Sequence, residues 1–109
     1  MTDKIVVLVT CESLKQARKI GRALVEAELV ACANLLDAPV ESIYRWKGRV
    51  RSAREWLMIL KTTRARFAAV RHEIRRLHRY EVPEIIALPI ERGSRDYLRW
   101  VSQSVGARA

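Results

Sequence analysis

Val40-Glu41-Ser42-Ile43-Tyr44-Arg45-Trp46-Lys47-Gly48-Arg49-Val50-Arg51-Ser52-Ala53-Arg54-Glu55-Trp56-Leu57-Met58-Ile59-Leu60-Lys61-Thr62 is the stretch on which the fold turns. Two runs rich in branched and aromatic residues flank Lys47-Gly48, a dipeptide suited to a tight turn. The segment therefore predicts strands over 40–46 and 49–62 joined as a long antiparallel hairpin. Asp37-Ala38-Pro39 punctuates the chain just before it. The hairpin tip is unusually basic, and the hairpin is too long for two strands alone, so the flanking chain must supply a sheet for it to join.

Upstream, 4–10 is nearly all β-branched residues or Leu, the composition of a central strand buried on both faces. Ser13 is placed to cap a helix in which Leu14, Ala17, Ile20, Gly21, Leu24 and Val25 share one face through about Glu28. Lys15, Arg18, Lys19, Arg22 and Glu26 fall outside. A strand over 29–36 follows. Downstream, Thr63 is expected to cap a helix with Phe67, Val70, Ile74 and Leu77 inward and Arg64, Arg71, Arg75 and Arg79 outward. With 40–46 read as the resumption of the second strand after Asp37-Ala38-Pro39, a fourth strand spans 82–90, bracketed by Pro83 and Pro89. Ser94 then caps a last helix whose apolar side is Tyr97, Leu98, Trp100, Val101 and Val105. The order βαββαβ plus a C-terminal helix predicts an α+β, ferredoxin-like split βαβ fold: a four-stranded antiparallel sheet with two helices on one face. Its other face, together with a hairpin bearing Tyr44 and Trp46, is expected to bury itself against further copies of the chain.

At 109 residues, half of them hydrophobic, the chain reads as one domain over 1–109. No apolar run approaches membrane-spanning length and no basic leader precedes 5–9, so the expected location is cytoplasmic, with no membrane partner. Cys11 and Cys32 lack CxxC or zinc-type spacing and read as free thiols. The net charge of +9, from 21 Lys and Arg against 12 acids, favours acidic partners such as nucleic acid or phosphorylated ligands. Arginines that merely solvate helices give the same count. No nucleophile with a paired base and no glycine-rich phosphate loop is visible, so an enzyme and an organic cofactor are not expected. His72-Glu73 with His78 does not form a metalloprotease box, because that site needs histidines four apart on a helix.

The chemistry-bearing residues gather at Leu77-His78-Arg79-Tyr80-Glu81-Val82-Pro83-Glu84, between a helix and a strand. His78, Glu81 and Glu84 recur at intervals of three, and imidazole nitrogen with carboxylate oxygen suits copper, zinc or nickel. The plain alternative has His78 bonding a helix-terminal carbonyl and the two glutamates pairing with arginines. Tyr44, Trp46, Tyr97 and Trp100, with Lys61 and Tyr80, either line a cleft for an anionic small molecule or pack at an interface.

Val9-Thr10-Cys11, Ala31-Cys32-Ala33-Asn34-Leu35, Ser42-Ile43-Tyr44-Arg45-Trp46-Lys47-Gly48, Glu55, Leu57, Lys61 and Thr62, the segment 77–90 and Tyr97-Leu98-Arg99-Trp100 together resemble the divalent-cation tolerance family, CutA. The resemblance covers nearly the whole chain. It implies a ferredoxin-like subunit in a PII-like homotrimer, a non-enzymatic role in divalent-cation tolerance, and copper as the first metal to consider. It also places Cys11 at a position with a copper-ligand role in relatives. Two departures stand out: the family's His-Pro-Tyr is His78-Arg79-Tyr80 here, and a commonly acidic return strand reads Arg51-Ser52-Ala53-Arg54. Both add positive charge that opposes a cation and favours the second reading, a PII-like sensor of an anionic metabolite. A third, an RNA-binding ferredoxin-like domain, has the charge but not the aromatic strand signature, so no specific nucleic acid is expected. Cys11 is the outlier among the ligands, because the end of the first strand and the start of the fourth are expected at opposite ends of the sheet.

Overall fold

In the computed structural model, which describes residues 2–106, branched apolar residues carry strand β1 (Lys4–Cys11) through the middle of an antiparallel sheet. Its long partner β4 (Arg49–Thr63) lies on one side and β5 (Ile85–Pro89) on the other. The second half of β4 also pairs β2 (Cys32–Leu35), giving the order β2-β4-β1-β5. Its first half pairs β3 (Val40–Trp46) from Val40 opposite Glu55 to Trp46 opposite Arg49. The hairpin therefore projects from the sheet, and the molecule measures 44 × 25 × 24 Å. Lys47 (φ 51°) and Gly48 (φ 77°) both occupy the left-handed region, as a two-residue hairpin turn compatible with strand twist requires.

Alternation decides what the sheet buries. Ile5, Val7, Val9 and Cys11 of β1 face the same side as Met58 and Leu60 of β4. Helices α1 (Leu14–Glu26) and α2 (Phe67–Leu77) close that side with Ala17, Ile20, Leu24, Val70 and Ile74, each fully buried. Every such aliphatic side chain removed from water contributes about 1.5–3 kcal/mol. Helix α1 sits directly on the sheet because Gly21 has no side chain: a Cβ there would lie 3.2 Å from Ala33 Cβ and 3.3 Å from Met58 Cε. The opposite sheet side is less well covered. Val6 and Leu8 are half-buried, while their register partners Leu88 and Ile86 are 49% and 48% exposed. Helix α3 (Arg95–Ser104) covers only part of it, through Val101 and Val105 against Ala31. No helix among the described residues is long and apolar enough to cross a membrane.

Several expected boundaries move for local reasons. The Ser13 hydroxyl does cap α1, accepting from Gln16 N at 3.1 Å. The strand expected over 29–36 shortens to Cys32–Leu35 because the helix exit consumes the residues before it: Glu28 turns left-handed (φ 59°) and Leu29 N donates to Leu24 O. Thr63 is the last residue of β4 and makes no side-chain cap. A 3-10 turn at Arg64–Arg66 intervenes before α2 begins. Ser94 does stand at the start of α3, but its carbonyl, not its hydroxyl, meets the helix, accepting from Leu98 N at 2.9 Å. The strand expected over 82–90 starts at Ile85 and ends on Pro89, tolerable because β5 is a sheet edge. Val25, Tyr97 and Trp100, assigned to buried stripes, are each about two-fifths exposed.

Candidate functional site

Antiparallel pairing sets the start of β5 beside the end of β1, Ile85 opposite Val9, so the segment 78–84 returns to the C-terminal end of the central strand. This corrects the expectation that those two points lie at opposite ends of the sheet. Between that segment and the root of the β3–β4 hairpin lies a cleft of about 700 Å³. Its walls include Tyr44, Trp46 and Arg51 from the hairpin, Glu55 where β4 joins the sheet, and Arg79, Tyr80, Glu81 and Glu84 from the returning segment.

His78 anchors that segment. Its ring is 9% exposed, its Nδ1 accepts from Tyr80 N at 3.1 Å, and its Nε2 lies 2.7 Å from the Thr10 carbonyl. With Nδ1 accepting, the proton of the neutral ring sits on Nε2 and is donated to Thr10. Both nitrogens are thereby occupied, which leaves no lone pair for a metal. The imidazole is a strut behind the cleft instead of a ligand in it. Its partner is a strand carbonyl, and not the helix-terminal one that the plain alternative supposed.

Cys11 is equally withdrawn. Adjacent strand residues point to opposite faces, so Thr10 lines the cleft while Cys11 faces the core, 3.6 Å from Met58 Sδ. Burial, reinforced by the nearby carboxylates Glu55 and Glu12, pushes its thiol up to about 12. At pH 8 about one molecule in 10⁴ carries the thiolate that alkylation or metal binding requires. Cys11 should therefore resist iodoacetamide in native protein at pH 8 and react on unfolding. Labelling of the folded chain at Cys11, mapped by peptide mass, would show this account of the thiol to be wrong.

The expected ligand set thus divides. Glu81 and Glu84 lie in the cleft, His78 stands behind it and Cys11 is on the far side of the sheet. Among the described residues, no three His, Cys, Asp or Glu side chains come together as a cluster able to hold an ion. The expected aromatic cleft divides as well. Tyr44, Trp46 and Tyr80 line it, whereas Lys61 bonds to Asn34 on β2, Tyr97 OH lies 3.6 Å from Cys32 Sγ, and Trp100 packs on Tyr97 with ring centroids 5.4 Å apart. The hydrogen bond with Cys32 raises the Tyr97 phenol, with partial burial adding to it.

Electrostatics in the cleft are mixed. Burial first, then a hydrogen bond to Glu55 and that carboxylate's charge, push the Tyr80 phenol above its ordinary range, so it stays neutral and donates to Glu55. Arg79 Nε reaches Glu12 Oε1 at 3.3 Å, an exposed pair of little energetic weight. Glu81 and Glu84 form no ion pair with any arginine among the described residues, contrary to the plain alternative. Thr10, Ser42, Arg51 and Glu55 were not singled out as site residues. Hairpin register points to Ser42, Arg51 and Glu55, since Glu55 opposite Val40 marks where the projecting hairpin meets the sheet, and Thr10 follows from the pairing of β1 with β4.

The family model described as "CutA1 divalent ion tolerance protein" matches residues 5–104. The "Divalent-cation tolerance protein CutA" of Thermus thermophilus is 46% identical over 101 residues, covering 93% of this chain and 97% of that protein. A solved structure of the Thermus thermophilus protein superposes with a TM-score of 0.92 at 45% identity over 94% of this chain and 99% of the other. An Archaeoglobus fulgidus structure, described as a periplasmic divalent cation tolerance protein, gives a TM-score of 0.91 at 38% identity, with coverage of 94% and 99%.

Proposed function

The chain belongs to the CutA1 divalent ion tolerance protein family, and on that premise we propose that it is a non-enzymatic divalent-cation tolerance protein working as a homotrimer of ferredoxin-like subunits. The order β2-β4-β1-β5, with α1 and α2 on one face, supports the subunit fold. Apolar surface left uncovered on one subunit supports the assembly: Ile43 is 71% and Val50 65% exposed on the hairpin, with Ile86 and Leu88 half exposed on the sheet. Two free thiols, Cys11 and Cys32, accord with a reducing compartment, and the proposal includes a cytoplasmic location that cell fractionation would test.

The observation that carries the binding role is that Glu55, Glu81 and Glu84 line one cleft, without forming on one subunit a cluster that could hold an ion by itself. Carboxylate oxygens are hard donors that accept divalent cations, so the donor chemistry fits a divalent ion in general better than it fits soft copper(I). Copper(II) is the first ion to try. Affinity is modest, because the carboxylates of one subunit do not close around an ion and Arg51 and Arg79 repel it. Arg51 and Arg79 beside Tyr44 and Trp46 favour the second reading, an anionic metabolite in the same cleft.

Titration calorimetry with copper(II) separates the two. Glu81→Gln with Glu84→Gln should abolish the metal isotherm. Arg79→Pro should tighten binding a few-fold by removing a repulsive charge. His78 already has φ −78° and ψ 146°, the region required of a residue before proline, so the preceding residue need not move. An isotherm indifferent to the glutamates removes the cation from this cleft and leaves the anionic ligand ahead.

A further inference from the structure

The charge is not spread evenly over the molecule. Helix α1 carries Lys15, Arg18, Lys19 and Arg22 against Glu26, and 64–77 carries five arginines against Glu73, so seven of the nine net positive charges lie on the helical layer. On α1 the four cations stand at i, i+3, i+4 and i+7, one stripe on a single face. Arg71 and Arg75 make a second pair at i, i+4 on α2. The acids of the layer are already engaged: Glu73 bonds to Arg76 at 2.6 Å and Glu26 lies 4.0 Å from Arg22. Among the described residues, Lys15, Arg18, Lys19, Arg71 and Arg75 have no carboxylate partner, and all five are exposed.

Solvation alone does not explain a layer this one-sided, because like charges three and four residues apart repel and tend to destabilise the helices that carry them. The layer also faces outward. The exposed apolar surface is on the hairpin and the opposite sheet face, so the proposed trimer, on which this step rests, would leave α1 and α2 in solvent. Phe67, the one Phe, Tyr or Trp on these helices, packs against the core and leaves His72 as the exposed ring, so the face offers neither a run of stacking platforms for unstacked bases nor an aromatic wedge for a lipid interface. What remains is two rigid rows of cations on helices roughly 20 and 16 Å long. That geometry matches a stiff, regularly charged polyanion. We infer that the outward face of α1 and α2 docks on the phosphate backbone of double-stranded nucleic acid without reading its sequence.

Fluorescence anisotropy on the full chain with two unrelated 20-base-pair DNA duplexes tests this between 50 and 200 mM NaCl. Five neutralised phosphates predict micromolar binding at 50 mM, a log–log salt slope of about −4 to −5, and no preference between the duplexes. Arg18→Glu, Lys19→Glu and Arg75→Glu together should weaken binding at least tenfold and flatten the slope by about 3. Arg92→Glu, Arg95→Glu and Arg99→Glu, an identical change of net charge elsewhere, should leave the slope unchanged. Circular dichroism and sedimentation confirm that each variant is folded and assembled, and the corresponding glutamine set serves if the glutamates disturb the helices. Equal losses in both sets would reduce the effect to net charge and overturn the assignment. So would absence of binding by the native chain at 50 mM, or tighter binding to single strands or to phosphatidylserine vesicles than to the duplexes.

Discussion

Replacing His78 by alanine is expected to destabilise the protein by about 3–4 kcal/mol, through a buried strut and not through a lost metal ligand. The ring holds the Thr10 carbonyl with one nitrogen and the Tyr80 amide with the other. Its removal strands both backbone groups in a site where water has little access, at about 1–3 kcal/mol each, and opens a void against Tyr80, whose ring centroid lies 4.7 Å away. His78→Phe refills the volume without restoring either bond, so it should recover less than half of the loss. Urea denaturation at unchanged m-value reads the effect directly. A loss below about 1 kcal/mol for His78→Ala would mean that neighbouring groups re-pair and that the ring is dispensable. The same substitution should also weaken binding in the cleft, because His78 helps to fasten the segment carrying Glu81 and Glu84 to the end of β1.

The sequence made the fold legible because each element had an unambiguous local signal. The continuous branched apolar run of β1, the 3.6-residue stripe of α1 and the Lys47-Gly48 turn each fixed one piece, and their order left few arrangements of the sheet. Boundaries were legible only where a cap or a turn set them. Ser13 acts as read, whereas Thr63 and Ser94 carry the right residue types at helix starts but leave their hydroxyls out of the cap, a rotamer choice that tertiary packing decides. The aromatic residues of α3 were misassigned for a related reason. Periodicity identifies an apolar face but not what covers it, and on one subunit Tyr97 meets Cys32 of β2 and Trp100 packs on Tyr97 while both stay about two-fifths exposed.

The site was legible as a place and not as a ligand set. The segment 78–84 does form one wall of a cleft, and Glu81 and Glu84 do face it. Spacing of three nonetheless grouped His78 with them, although the chain leaves α2 at His78 and helical spacing ceases to apply. Cys11 failed by the rule of alternation itself: Thr10 lines the cleft, so its neighbour must face the core. Glu55 and Arg51 share a face of β4 by alternation, but no local motif tells that this face meets the segment 78–84 across one cleft.

The second large effect is expected at the hairpin, where Trp46→Ala should convert the proposed trimer to smaller species with a loss of about 3–5 kcal/mol. Within one subunit the indole closes the end of β3 opposite Arg49, has Lys47 Nζ 5.9 Å from its ring centroid, and remains partly exposed. Two strands projecting from a sheet are marginal in water unless something packs on them, and this pair also displays Ile43 and Val50 to solvent. In the proposed trimer a partner subunit would supply that packing, and a tryptophan flanked by exposed aliphatic residues is the kind of anchor that dominates such contacts. Because Trp46 also lines the cleft, dissociation and loss of ligand binding should occur together, whereas the glutamine variants of Glu81 and Glu84 should lose the ligand and keep the assembly. Sedimentation velocity at micromolar concentration distinguishes the two behaviours. A native chain that sediments as a monomer, or a Trp46→Ala chain that remains trimeric with an unaltered denaturation midpoint, would move the subunit contact away from the hairpin and onto the exposed sheet face around Ile86 and Leu88.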